Sequence, residues 1–239
     1  MLYTSTRNNK IRVTAAQAIA QGISEEGGLF VPVELPHFSM DTVREMMEMS
    51  YIDRAKTVLR TFLTDFSDEE LNYCVEGAYR ADKFSSPAVA PTVNIGGKEN
   101  ILELWHGPTC AFKDMALQLL PHLLTLSAGK NGEQREIFIL VATSGDTGKA
   151  ALEGFLNVSG TRCCVFYPRE GVSQAQKLQM VTTGGRNTHV IAVNGNFDDA
   201  QTGVKRIFAD RQFAETMNQQ GRVLSSANSI NFGRLVPQV

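Results

Sequence analysis

The sequence has no apolar run approaching the roughly 20 residues that a membrane-spanning helix needs. Its first residues, Met-Leu-Tyr-Thr-Ser-Thr-Arg-Asn-Asn, contain no apolar h-region, so no signal peptide is expected. Runs of like charge are also missing. With 23 basic and 25 acidic residues the formal net charge is −2, which offers no electrostatic footprint for nucleic acid. The four cysteines (Cys74, Cys110, Cys163 and Cys164) show neither Cys-x-x-Cys nor paired spacing. Free thiols in a reducing compartment, by default the cytoplasm, are therefore expected. His37, His106, His122 and His189 form no metal-ligand spacing with one another or with the cysteines, so no metal site is expected. Internal repeats and low-complexity tracts are absent as well. What remains is a globular chain of 239 residues, enough for one large core or two modest ones.

Residues 1–90 read as mainly helical. Thr14-Ala-Ala-Gln17 and Ser67-Asp-Glu-Glu70 are capping boxes, and Gly22 closes the first short helix. Gly27-Gly28 is a turn into a short strand ending at Pro32. Helical patterns follow at about 41–50 and 51–63, and Leu71, Cys74, Val75, Ala78 and Tyr79 have the spacing of a buried stripe. The segment Ser85-Ser-Pro87 to Pro91 breaks the pattern and marks a domain boundary at 90/91. Thr92–Ile95 and Lys98–Trp105 then read as strands joined at Gly96-Gly97. A nearly all-apolar helix should start near Lys113 and be kinked or divided by Pro121. Beyond Gly129, apolar runs at Glu136–Ala142, Thr161–Tyr167, Thr188–Val193 and Arg222–Leu224 alternate with helical stretches near 147–157, 173–182 and 197–210. Such runs suit strands covered on both faces, hence a largely parallel, doubly wound α/β domain over 91–239. Cys163-Cys164 lie inside one run and read as strand packing.

Three motifs carry candidate chemistry. Ala142-Thr-Ser-Gly-Asp-Thr-Gly-Lys-Ala150 follows a buried strand and opens a helix, where open α/β sheets bind ligands. Helix-start amides with the Thr143, Ser144 and Thr147 hydroxyls suit a carboxylate or phosphate. A nucleotide P-loop would need glycine where Thr143 stands and Ser or Thr where Ala150 stands, so it fails twice; a ligand-free capping turn stays open. In the second motif, His106-Gly-Pro-Thr-Cys-Ala-Phe-Lys-Asp114, Lys113 begins the apolar helix. Desolvation there would lower a lysine's pKa toward the neutral amine that imine chemistry needs. Taken alone, a lysine snorkelling to the surface or paired with Asp114 accounts for Lys113 better, and His106 reads as a turn or core histidine. In the third, Ser225 to Arg234, the residues Asn228, Ser229 and Arg234 could converge on an anion. Equally, Asn228 and Ser229 could cap a helix carrying a solvent-facing arginine.

Together the three motifs, with Tyr3-Thr-Ser-Thr-Arg7 and Glu26-Gly-Gly-Leu-Phe-Val-Pro32, resemble the threonine synthases, members of the tryptophan-synthase-β-like (fold type II) pyridoxal-phosphate enzymes. The resemblance covers almost the whole chain, and it overturns the surface reading of Lys113. It implies pyridoxal 5'-phosphate bonded to Lys113, which would also shuttle protons, and conversion of O-phospho-L-homoserine and water to L-threonine and phosphate. Thr143, Ser144 and Thr147 would hold the substrate carboxylate, with Thr147 also near the phosphate; Asn228, Ser229 and Arg234 would grip the phosphate. Asp146 stands where many fold type II enzymes place an Asn against the cofactor's phenolic oxygen. Two facing anions repel, so Asp146 should be protonated or turned toward the loop backbone. The family's glycine-rich loop for the cofactor phosphate, and its partner for the pyridine nitrogen, come later than Val239. The chain is therefore expected to be an N-terminal portion lacking a C-terminal half, unable to hold the cofactor tightly alone. A threonine-synthase-like phospho-lyase and a non-catalytic fragment are the alternatives.

Overall fold

In a computed structural model, which describes all 239 residues, the expected helix starts are where side chains cap them. Thr14 and Gln17 close a reciprocal box on α1 (Ala15–Gln21), and Gly22 ends that helix at φ +75°. β1 (Tyr3–Ser5) pairs antiparallel with β2 (Phe30–Pro32). Ser39 caps α2 (Met40–Glu48) and Ser50 caps α3 (Tyr51–Phe62). Ser67 and Glu70 form the second box at the start of α4 (Asp68–Ala78), whose stripe Leu71, Cys74, Val75 and Ala78 is buried. β3 (Thr92–Gly96) and β4 (Glu99–Leu102) make an antiparallel hairpin exposed along both strands. The apolar helix is divided as the proline requires, into α5 (Asp114–Leu117) and α6 (Leu120–Lys130), with Pro121 in the first turn of α6.

Two compact units result, one of residues 1–131 with 229–239, the other of residues 132–228. The boundary expected at 90/91 therefore falls inside the first unit. Ser and Pro made 85–91 look like a linker, but contacts across it tie the segments together. The Ser85 N–H donates to the His106 carbonyl at 2.9 Å, the Tyr79 hydroxyl donates to the Met115 carbonyl at 2.8 Å, and α6 packs on α1 and α4. Tyr3, wholly buried, donates to the Phe62 carbonyl at 2.9 Å and completes that core.

The second unit is a parallel sheet. Its strands β5 (Glu136–Ala142), β6 (Thr161–Pro168), β7 (Thr188–Val193) and β8 (Arg222–Ser225) lie in the order β7-β6-β5-β8. Between them run α7 (Asp146–Gly154), α8 (Gln174–Val181), α9 (Phe197–Ala209) and α10 (Arg211–Gln219). Leu140 and Cys164 pack with Val204 of α9, alongside Phe138, Phe166 and Leu224. Alternate residues point to the opposite face, where Val165 meets α7 at Gly148. Helices cover both faces, which is why the strands read as continuous apolar runs. The thiols of Cys163 and Cys164 are packing groups, and burial pushes Cys164 up to about 11. A further short helix, α11 (Phe232–Leu235), belongs to the first unit and packs on α1, α5 and α6. No helix is long and apolar enough to cross a membrane.

Candidate functional site

The lysine motif is a loop between β4 and α5, stitched at both ends. His106 is held as a turn residue, with Nε2 2.7 Å from Glu103 Oε2 and Nδ1 2.9 Å from Ser85 Oγ. Asp114 has no exposed surface. Its Oδ2 accepts from the amides of Thr109 (2.9 Å) and Ala111 (3.4 Å), and its Oδ1 accepts from the Thr109 hydroxyl (2.6 Å). A buried carboxylate is tolerated when its lone pairs are met in this way. Gly107 leaves no room for a side chain, since a Cβ there would stand 2.5 Å from that of Asp114. Lys113 follows as the residue that starts α5, with helical φ −64° and ψ −21°.

Lys113 itself is only half-buried. Its Nζ stands 4.3 Å from the centroid of the Phe112 ring, which is 53% exposed. The apolar enclosure expected around the amine belongs instead to Met115, Ala116 and Leu117. Because Lys113 is the N-cap of α5, its side chain leaves before the buried stripe begins. Asp114, a candidate counter-ion in the sequence, spends both carboxylate oxygens on the loop.

In the sheet unit, the loop after β5 has the expected strand-loop-helix form. Ser144 is exposed and Thr147 partly so. Thr143 is buried, its Oγ accepting from the amides of Gly145 (3.0 Å) and Gly148 (2.9 Å). Its acceptor capacity thus goes to shaping the loop. Gly145 adopts φ +146° and packs against Gln176, so a side chain there would meet both obstacles. The carboxylate of Asp146 turns to side chains rather than to the loop backbone. Its Oδ1 accepts from Gln176 Nε2 at 2.7 Å and lies 3.4 Å from Lys149 Nζ. Lys149, 8% exposed, is thereby committed to Asp146, which removes the remaining likeness to a nucleotide loop.

The third motif is divided between the units. Asn228 closes the sheet unit, where its Nδ2 donates to Ser226 Oγ at 2.8 Å, while Ser229 and Arg234 belong to the first unit. Ser229 is exposed. Neither Asn228 nor Ser229 caps α11; Asn231 does, with Oδ1 accepting from the Gly233 amide and Nδ2 donating to the Ile19 carbonyl. Arg234 is not solvent-facing. Only 5% of it is exposed, and burial holds its guanidinium below the ordinary arginine value. Its helix packs on α5, the helix that Lys113 starts. Asp114, Thr109, Lys149, Gln176 and Asn231 were the side chains the sequence did not single out for these roles. The one local signal was Asn231 placed two residues before Gly233, an N-cap spacing. No group of three or more His, Cys, Asp or Glu residues lies close enough to hold a metal ion.

The family model for the threonine synthase N terminus matches residues 2–79. Threonine synthase of Pseudomonas aeruginosa is 39% identical over 240 residues, covering 100% of this chain and 49% of that protein. Human threonine synthase-like 1 is 39% identical over 233 residues, covering 94% of this chain and 31% of that protein. The crystal structure of pyridoxal-phosphate-bound threonine synthase from Brucella melitensis superposes with a TM-score of 0.91 at 37% identity, covering 100% of this chain and 50% of that one. The chain thus spans about half the length of the threonine synthases it matches.

Proposed function

We propose that this chain, which matches an N-terminal portion of threonine synthase in sequence and fold, serves the pyridoxal-phosphate-dependent conversion of O-phospho-L-homoserine and water to L-threonine and phosphate. The observation that carries the reading is the match of the whole of this chain to about half of the threonine synthases, in a chain whose Lys113 loop is fixed from below by Asp114. The donor set suits the cofactor and substrate. A primary amine on a rigid loop meets an aldehyde, and amides, hydroxyls and an arginine meet anions.

Bound pyridoxal phosphate would supply the electron sink for carbanionic chemistry at the substrate. Lys113 Nζ would hold the cofactor and, once free, move protons one at a time: it would take one from the substrate Cα and pass it on before taking one from Cβ, and a proton would be delivered to Cγ. Phosphate leaves from Cγ, and water adds at Cβ. Ser144 and Thr147 would hold the substrate carboxylate with their hydroxyls at the start of α7, and Thr143 would keep that turn in shape. Asn228, Ser229 and Arg234 would bind the phosphate. For Arg234, burial would strengthen its charge on an anion, because little water competes. Asp146, held by Gln176 and Lys149, would act within the loop.

A threonine-synthase-like phospho-lyase is the second reading, since Lys113 and the anion-binding residues would serve that reaction equally well. Product analysis with O-phospho-L-homoserine and cofactor, on the protein completed by the C-terminal half that the resemblance implies, separates them. Threonine and phosphate in equal amounts support the synthase. Phosphate without threonine supports the lyase, and neither product removes both.

A further inference from the structure

The amine at position 113 is held in place from an unexpected side. Three donors of the loop, the Thr109 amide, the Thr109 hydroxyl and the Ala111 amide, converge on the one carboxylate that directly follows the lysine. That carboxylate is fully buried, and Thr109 is 5% exposed. Gly107 packs face-on against it, with room for hydrogen only. Between these fixed points Cys110 is held at φ +56°, a conformation a non-glycine residue keeps only where its surroundings impose it. Residues 107–114 thus form a closed ring of contacts, and the backbone of Lys113 is part of it. The half-exposed Lys113 side chain is long and flexible, with its Nζ over the exposed ring of Phe112. A loose loop beneath it would let the amine sample many positions.

We infer that Asp114 is the positioning residue of the reactive lysine: its carboxylate, through Thr109 and Ala111, fixes the loop that presents Lys113 Nζ to the cofactor aldehyde. The inference rests on the reading of Lys113 as the cofactor lysine. Geometry also predicts which substitution is tolerated. In Asp114→Asn the amide oxygen can keep the two backbone N–H groups, while its NH2 faces a Thr109 hydroxyl able to accept instead of donate. Asp114→Ala strands all three donors. Gly107→Ala leaves every donor in place but pushes Asp114 aside.

The test uses the 239-residue protein with pyridoxal phosphate as the probe. Borohydride-trapped adducts are mapped by peptide, with Lys98 on the exposed hairpin as the internal reference, and amide exchange is followed in residues 107–112 and 136–142. In Asp114→Ala, the Lys113 adduct should fall at least tenfold relative to Lys98. Exchange should rise at least tenfold in 107–112 and stay unchanged in 136–142. Gly107→Ala should move both readouts in the same direction, and Asp114→Asn should return both to within about threefold of the parent. Faster exchange in Asp114→Ala with an unchanged Lys113 adduct would overturn the inference, since Asp114 would then be structural only. So would unchanged exchange. Absence of a preferred Lys113 adduct in the parent would instead overturn the reading of Lys113 on which the inference rests.

Discussion

The imidazole of His122, on α6, lies against α4 where Gly77 leaves space for it, with Tyr73 edge-on at 5.4 Å. Its Nδ1 is buried with no partner, so a second ring proton would have no acceptor. Burial pushes this group from 6.5 down to about 4; the Lys83 charge pushes the same way, and the Gly77 backbone opposes it. Between those two pH values the unfolded chain binds the proton and the folded chain does not. Stability present above pH 6.5 is therefore lost as pH falls toward 4. The shift corresponds to about 2 kcal/mol between pH 7 and pH 5, measurable by urea unfolding at the two values. His122→Gln should remove at least half of that difference; an unchanged difference would place the acid sensitivity elsewhere. Lys113 behaves differently at this scale, because its side chain is half-exposed, with Nζ over the exposed Phe112 ring. Lys113→Ala should leave the melting temperature within about 2 °C of the parent, a loss below ~1 kcal/mol. The borohydride-trapped pyridoxyl adduct at this position should be lost.

Elements make stronger demands on stability. The Ser67–Glu70 box satisfies two orphan groups at the start of α4, the helix whose buried stripe packs beneath α6. Ser67→Ala should cost about 1 kcal/mol, or roughly 2–4 °C in melting temperature for a chain of this size. Gly145→Ala should cost more, about 1–3 kcal/mol, because the backbone is at φ +146° and the added carbon would meet Gln176. The same substitution should weaken phosphate-ester binding, which isothermal titration would show. Legibility in the sequence followed these local forces. Both capping boxes, the division at Pro121 and the strand limits Glu136–Ala142 and Thr188–Val193 were readable, because each is set within a few residues. α10 was not. Asp210 both ends α9 and caps α10, so two helices abut with no glycine or proline between them. β1 was also missed, since three residues paired with Phe30–Pro32 carry no periodicity of their own.

For the molecule as a whole, the sequence placed the parallel sheet correctly but divided the chain too early. Composition marks 85–91 as a break, whereas Tyr79 to Met115, Ser85 to His106 and Lys83 to Gln118 join the two sides of it. Those contacts span 21 to 36 positions and have no local signature. The candidate site was legible as motifs and not as geometry. The lysine and the strand-loop-helix turn were evident, but the apolar setting expected for Lys113 came from a helix whose burial begins one residue later. The proposed function stands on Lys113 as the cofactor lysine of a threonine-synthase-type chain. Borohydride reduction of the pyridoxal-phosphate-loaded protein, followed by peptide mapping, tests it most directly. A single dominant pyridoxyl adduct on Lys113, absent in Lys113→Ala, is the predicted result; an adduct spread evenly over surface lysines, or none on the peptide carrying Lys113, would contradict it.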